Sequence, residues 1–360
     1  MMKVGIVGCG KIADAHAAAI AMIPDAEIVG VCDTEELMAK QLYERFKIRQ
    51  YFADIHRMLE VAGPDVVHIT TPPQSHFELG RICLDAGCHV YVEKPFTVTS
   101  DEADQLIRLA DQKGLKLTVG TDEQFSHVAI AMRKLIQEGY LGGPPVHMEA
   151  YYCYDLGDER YARAFLNDNT HWLRSLPGQL MHNVISHGVA KIAEFMEGKN
   201  VEVIAHGFTS EFLRRLGEKD LIDELRVIIR DGFQTTAYFT FSTQMRPLLR
   251  EFRIYGPKNG LIINQEHHSL IRVPGKEYKS YLNKFVPLNY FAKEYRKNIY
   301  TNARLFLKND LHMKEGMKRL IELFYSSISN HTPPPIAYKE ILLTTRIMDQ
   351  AFAQIRKNCF

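Results

Sequence analysis

An apolar run, Val4-Gly5-Ile6-Val7, leads without a spacer into Gly8-Cys9-Gly10-Lys11-Ile12-Ala13, and an Ala-rich helical pattern continues to Ile23. The spacing G-x-G-x-x-A has a mechanical meaning. Gly8 permits the tight strand-to-helix turn, Gly10 lets a pyrophosphate approach the backbone, and Ala13 lets the helix pack close to a sheet. The first N–H groups of that helix, around Lys11 and Ile12, then face the phosphates with the positive end of the helix dipole behind them. A second apolar strand, Glu27–Cys32, ends in Asp33. A carboxylate there can accept both hydroxyls of an adenosine ribose and repels a 2′-phosphate. A Gly-rich turn alone is a weak signal, but strand, turn, helix and acid in this order make a dinucleotide-binding fingerprint. NAD is the expected cofactor, ahead of NADP.

A second group of reactive residues comes in two pieces, Thr70-Thr71-Pro72-Pro73-Gln74-Ser75-His76 and Glu93-Lys94-Pro95. Both follow the carboxyl ends of apolar strands, the edge where open α/β sheets bind ligands. Lys94 is therefore expected where a nicotinamide ring would lie. Its ammonium can hydrogen-bond a reacting hydroxyl or carbonyl and relay its proton. Lys94-Pro95 is also a candidate cis peptide, a bond that would aim the lysine.

The three motifs together resemble the Gfo/Idh/MocA family of NAD(P)-dependent sugar and polyol dehydrogenases, over nearly the whole chain. The resemblance implies that Lys94 lies at the active site and that Glu93 touches a cofactor ribose. It implies further that Thr70, Thr71, Pro72 and His76 border the nicotinamide side. The family's other catalytic pattern is Asp or Asn followed four residues later by His, on a helix after a Gly-rich turn. This chain reads Pro177-Gly178-Gln179-Leu180-Met181-His182-Asn183, with His187 four residues on. On a helix Asn183 and His187 would project from one face. His187 titrates near neutrality in the ordinary case and can accept a hydroxyl proton, whereas Asn183 can only orient a hydroxyl. The chain departs from the family in the shortened turn Pro177-Gly178-Gln179, and in Ala190, where an Asp is common.

Tyr152, Tyr154, Asp155, His171 and Trp172 precede that helix. Aromatic faces beside hydrogen-bonding groups suit a sugar, so Trp172, Tyr154 and Asp155 join Asn183 as substrate-binding candidates. His182 points elsewhere and is read as structural. No Cys or carboxylate spacing completes His267-His268 as a metal site, so no metal is expected.

These groups need elements to carry them, and the rest of the sequence supplies two sets. At 360 residues, with 46% apolar residues, two domains are the prior. Residues 1–121 alternate strand and helix and read as a doubly wound parallel Rossmann domain. The strands include Val66–Ile69, His89–Val92 and Leu115–Gly120. The helices include Gln74–Ala86, with Ser75 as candidate N-cap, and Asp101–Lys113, with Ser100 as candidate N-cap. Residues 122–360 read as an α+β domain. Six strands, Val146–Tyr154, Val201–Phe208, Leu225–Arg230, Thr235–Ser242, Glu251–Tyr255 and Leu261–Asn264, imply a large, mostly antiparallel open sheet. Helices Met313–Ser329 and Ile341–Ile355 close the chain.

Lys and Arg number 44 against 43 Asp and Glu, which gives no argument for nucleic acid. The first strand begins too early for a signal peptide, and none of the cysteines (Cys9, Cys32, Cys83, Cys88, Cys153, Cys359) forms a C-x-x-C pair. The expected setting is cytoplasmic, as a homodimer or homotetramer through the C-terminal sheet. Residues 281–310 carry six basic side chains against Glu294 and Asp310, interleaved with aromatics. Three uses of such a helix stand: contact with an anionic membrane surface, a subunit contact, or a solvated face with an apolar underside. The expected activity is hydride transfer between NAD and a secondary hydroxyl of a sugar, sugar derivative or cyclic polyol. A redox-neutral, NAD-dependent glycosidic elimination and a non-catalytic nucleotide-binding regulator are the alternatives.

Overall fold

The computed structural model describes residues 1–156, 171–198, 200–232, 235–311 and 314–357. Residues 157–170, within the aromatic segment, lie outside the described residues, as do Met313 and Cys359. The chain forms two compact units, Met1–Asp122 with Gly316–Arg346, and Glu123–Glu315 with Ile347–Phe360.

In the first unit, strands β1 (Met2–Val7), β2 (Ala26–Cys32), β3 (Tyr51–Phe52), β4 (Val66–Ile69), β5 (His89–Val92) and β6 (Leu117–Val119) form one sheet in the order β3-β2-β1-β4-β5-β6. Every pairing is parallel. Parallel strands are covered on both faces, which is why Val4, Ile6, Val66, Val67, Ile69 and Val92 are all buried rather than alternating. Helix α1 (Lys11–Ala21) buries Ala13, Ala17 and Ile20. Helices α2 (Glu36–Phe46), α3 (Ile55–Ala62), α4 (His76–Asp85) and α5 (Ser100–Lys113) complete the alternation.

One proposed cap is corrected, and the other holds in position alone. Thr99, not Ser100, caps α5: its side chain accepts from Glu102 N–H, and Glu102 reaches back in a capping box. Ser75 stands at the N-cap of α4 but makes no capping bond; it ends a 3₁₀ turn over Pro73–Ser75, where its hydroxyl donates to Pro72 O and pairs with the Thr71 hydroxyl.

The second unit holds α6 (His127–Gln137) and a seven-stranded sheet. Its strands are β7 (His147–Cys153), β8 (Val201–Phe208), β9 (Glu224–Asp231), β10 (Thr236–Ser242), β11 (Arg250–Tyr255), β12 (Asn259–Asn264) and β13 (Ser269–Pro274). The order is β13-β12-β11-β7-β10-β9-β8. All pairings are antiparallel except β7 with β10. Between β7 and β8 the chain passes through α7 (Gln179–Val184) and α8 (Ser186–Ala193), so the meander β8-β9-β10 returns to β7 in its own direction. Strand β13 was not legible because His267-His268 reads as loop; the turn passes through His268 with φ 49°. A short α9 (Glu211–Arg215) is followed much later by α10 (Leu282–Leu307), a helix of 26 residues. Helix α11 (Glu315–Ser329) leads to α12 (Tyr338–Lys357).

Candidate active site

The first unit lines up its strand ends. Thr70 N–H donates to Val7 O at 2.8 Å, Glu93 N–H to Ile69 O at 2.9 Å, and Gly120 N–H to Val92 O at 2.8 Å. Chain order reverses about β1, between β2 and β4, so Gly8–Lys11 and Thr70–His76 border the switch-point crevice.

Gly8 has φ 92°, and a Cβ there would stand 2.6 Å from Thr71 Cγ2 and 2.8 Å from Thr71 N. Only glycine fits that turn. The Cβ direction of Gly10 is open, with nothing within 4 Å, which leaves room for a group to approach the backbone at the start of α1. Asp33 Oδ2 accepts from Cys9 N–H at 2.6 Å and Oδ1 from Glu35 N–H at 2.9 Å. A carboxylate offers about four lone-pair sites, so capacity remains for ribose hydroxyls. These residues fit a dinucleotide: a glycine turn, an open approach to a helix N-terminus, and an acceptor at the next strand end.

Across the crevice, Thr70 Oγ1 donates to Gly8 O at 2.5 Å and binds the two loops together. His76 is fully buried, with Nε2 2.9 Å from Thr71 O and Nδ1 2.9 Å from Pro95 O. It braces the Thr71 loop against the segment after Lys94. The Lys94-Pro95 bond is cis. Within residues 91–97 Lys94 alone is not buried, so its side chain is the one that reaches outward.

Behind Lys94 lies a relay that the sequence did not announce. Glu93 Oε1 is 2.8 Å from His16 Nε2, His16 Nδ1 is 2.8 Å from His68 Nδ1, and His68 Nε2 is 2.8 Å from the Tyr325 hydroxyl. All four side chains are buried. One assignment satisfies every bond with neutral rings: Tyr325 O–H donates to His68 Nε2, His68 Nδ1–H to His16 Nδ1, and His16 Nε2–H to an ionised Glu93. Burial holds the His68 pKa well below its ordinary range, which agrees with a neutral ring. Burial alone would raise the Glu93 carboxyl. The hydrogen bond from His16, with the Lys94 charge and N–H beside it, outweighs that and holds it low. Glu93 Oε2 also accepts from Lys94 N–H at 3.2 Å. Gly120 makes room for this carboxylate, since a Cβ there would stand 2.7 Å from Glu93 Oε1.

In the second unit the Asn183–His187 stretch is not one helix. It divides at Ile185 into α7 and α8. Asn183 is half-buried, whereas His187 is buried with its ring stacked on Tyr152, centroids 6.1 Å apart and planes 15° apart. The Tyr152 hydroxyl donates to Glu123 Oε1 at 3.2 Å, and Lys191 Nζ donates to Glu123 Oε2 at 2.6 Å and to Gln265 Oε1 at 2.7 Å. Burial works against the Glu123 anion. The charges of Lys191 and His187, the Lys191 hydrogen bond and Arg250 override it and hold the carboxyl at about 2. The Arg250 guanidinium sits over the Tyr152 ring, 5.2 Å from its centroid.

His187 thus stands beside a buried Glu123–Lys191 pair. One sequence signal pointed there: Lys191 extends the four-residue series from Asn183 and His187 within an otherwise apolar helix. Trp172 opens a 3₁₀ turn and stacks on His171 at 5.6 Å, Asp155 ion-pairs with Arg246, and Tyr154 N–H donates to Ser242 O at 3.1 Å. His182 stacks on Phe352 at 5.0 Å, in keeping with a structural role.

Residues 2–121 match the oxidoreductase family with the NAD-binding Rossmann fold, Gfo/Idh/MocA. The N-terminal Rossmann domain belongs to that family. Among curated relatives, D-glucoside 3-dehydrogenase of Escherichia coli (strain K12) is 32% identical over 142 residues, covering 39% of this chain and 40% of the relative. Myo-inositol 2-dehydrogenase of Thermotoga maritima is 26% identical over 145 residues, covering 40% of this chain and 43% of the relative. The matches therefore span about two-fifths of those relatives' own length. The fold likeness runs further. A Bordetella pertussis dehydrogenase in complex with NADH and UDP-GlcNAcA superposes with a TM-score of 0.78 at 18% identity, covering 99% of this chain and 96% of that one. The likeness in fold thus extends over both units.

Proposed function

We propose that this protein is an NAD-dependent dehydrogenase acting on a secondary hydroxyl of a sugar, sugar derivative or cyclic polyol. The observation that carries the reading is Lys94, the one side chain of residues 91–97 that is not buried, on the strand-end edge that also carries the glycine turn. The relatives' sugar and inositol substrates support the substrate class.

NAD, when bound, supplies the nicotinamide carbon that takes or returns the hydride. On this reading Gly8, Gly10, Lys11 and Ile12 hold the diphosphate and Asp33 accepts ribose hydroxyls. Glu93 accepts from the second ribose. Thr70, Thr71 and Pro72 border the nicotinamide, with His76 fixing Thr71. The Lys94 ammonium hydrogen-bonds the reacting oxygen. His187, as a neutral imidazole, is the candidate acceptor of the hydroxyl proton, and Asn183 orients that hydroxyl. Trp172, Tyr154 and Asp155 contact the remainder of the substrate.

Thermal unfolding with NAD, NADH, NADP and NADPH, alone and with sugars, uronic acids, nucleotide sugars and inositols, tests this reading. A specific ligand raises the unfolding temperature by mass action. The expected result is a rise with NADH and a further rise with one substrate class. No rise with any nicotinamide dinucleotide would overturn it.

A further inference from the structure

Helix α10 exposes more apolar side chains than a helix that serves only its own fold requires. Its inward face is mixed: Pro287, Tyr290, Phe291 and Leu305 are half-buried there beside three polar residues that bind the sheet. Glu294, the buried residue of the helix, binds Arg272 of β13 at 2.6 and 3.0 Å. The Asn298 side chain accepts from Leu270 N–H and donates to Leu270 O, both at 2.9 Å, and Asn302 donates to His267 O at 3.0 Å. The helix is clamped to the sheet edge by hydrogen bonds and an ion pair as well as by these half-buried apolar side chains.

A second set of apolar residues points outward. Phe285 is 69% exposed, Leu288 67%, Tyr295 57%, Ile299 65% and Phe306 72%. At 100° per residue they share an arc of roughly 80° with the exposed Ala292 and Ala303. Monomeric proteins seldom leave such a contiguous apolar stripe open to water without a use for it. Beside the stripe, on the next arc of the helix, come Lys293, Arg296, Lys297, Arg304 and Lys308, all exposed. Glu294 is the one acid in residues 282–307, and Arg272 neutralises it. The outer surface of α10 is therefore apolar and purely cationic, although the formal charge of the whole chain is only +1.

We propose that this face of α10 docks the protein on an anionic phospholipid surface. The Phe285–Phe306 stripe enters the boundary between headgroups and acyl chains, and the neighbouring Lys and Arg side chains meet the phosphates. The charge decides against the other occupant that the stripe would suit. A second α10 would bring two cationic bands together with no carboxylate between them, a repulsive arrangement. The helix lies on the surface; among the described residues no helix is long and apolar enough to cross a membrane.

Co-sedimentation of the full chain with vesicles of phosphatidylcholine plus phosphatidylserine, and of phosphatidylcholine alone, tests this. The protein is expected in the pellet with the anionic vesicles alone, and less of it as salt is raised. The triple variant Lys293→Glu, Lys297→Glu, Arg304→Glu is expected to weaken that partition roughly 100-fold or more. Phe285→Ser with Ile299→Ser is expected to weaken it as well. Both variants change exposed side chains, and their thermal unfolding should match that of the parent. Absence of pelleting, or pelleting that survives both variants, would overturn the proposal. So would a light-scattering mass that falls to the monomer in Phe285→Ser/Ile299→Ser, which would make α10 a contact between copies of this chain.

Discussion

His16 Nε2 lies 2.8 Å from Glu93 Oε1, and both side chains are buried. The carboxylate next to the candidate catalytic lysine is thus fixed from behind by a chain of hydrogen bonds that ends at Tyr325. The direction of that chain has a consequence for two nearby tyrosines. Tyr325→Phe removes the donor to His68 Nε2 and leaves a buried lone pair, at an expected cost of about 1–3 kcal/mol. The Tyr91 hydroxyl is buried without a hydrogen bond among the described residues, and its ring stacks on His68. Tyr91→Phe should be neutral or stabilising by about 1 kcal/mol. Urea unfolding near neutral pH measures both. Tyr325→Phe more stable than Tyr91→Phe would reverse the assignment.

Acid should weaken the first unit in a defined window. His68 and His76 both have their folded pKa held below the ordinary 6.5, in each case chiefly by burial. Below 6.5 the unfolded chain binds these protons and the folded chain does not, so stability falls as pH drops through that value. Each histidine contributes a slope of about 1.4 kcal/mol per pH unit while the difference lasts. Denaturant midpoints from pH 7.5 downward should show this fall, and His68→Gln should reduce it. A profile that stays flat as pH drops from 7.5 to well below 6.5 would contradict the lowered pKa of these two histidines.

The Glu123–Lys191 pair offers a third test. Lys191→Met leaves a buried carboxylate without its ammonium and should cost about 3–5 kcal/mol. Adding Glu123→Gln removes the stranded charge and should recover a large part of that loss. Additive losses in a double-mutant cycle would show that the two side chains act independently.

Asp33 is the proposed determinant of cofactor choice. Asp33→Asn keeps an acceptor for the Cys9 N–H but removes the charge opposed to a 2′-phosphate. The NADH-to-NADPH affinity ratio should drop by about tenfold or more. Nicotinamide fluorescence titrations give the ratio directly, and an unchanged ratio would remove Asp33 from that role.

The parts of the site that the sequence carried are those whose function is local. Gly8, Gly10 and Asp33 announce themselves because turn, helix start and strand end are neighbours in the chain. Asn183 and His187 share one helical period, although the break at Ile185 was invisible to that period. What was hidden depends on distance along the chain. Tyr325 meets His68 across 257 positions, and no spacing rule connects them. His16 and His68 looked like isolated polar residues in an Ala-rich helix and an apolar strand. The fold showed the same limit: hairpin strands were legible, whereas the parallel β7–β10 pairing depends on helices between β7 and β8.

The central claim is that Lys94 performs chemistry on substrate and does not merely anchor NAD. With a substrate identified from the ligand panel, the appearance of reduced nicotinamide is measured for the parent chain and for Lys94→Ala, alongside NADH affinity for both. The account predicts turnover reduced by at least about 100-fold in Lys94→Ala with NADH affinity within a few-fold of the parent. Turnover near the parent's in Lys94→Ala, or loss of NADH binding in a variant that still folds, would contradict it.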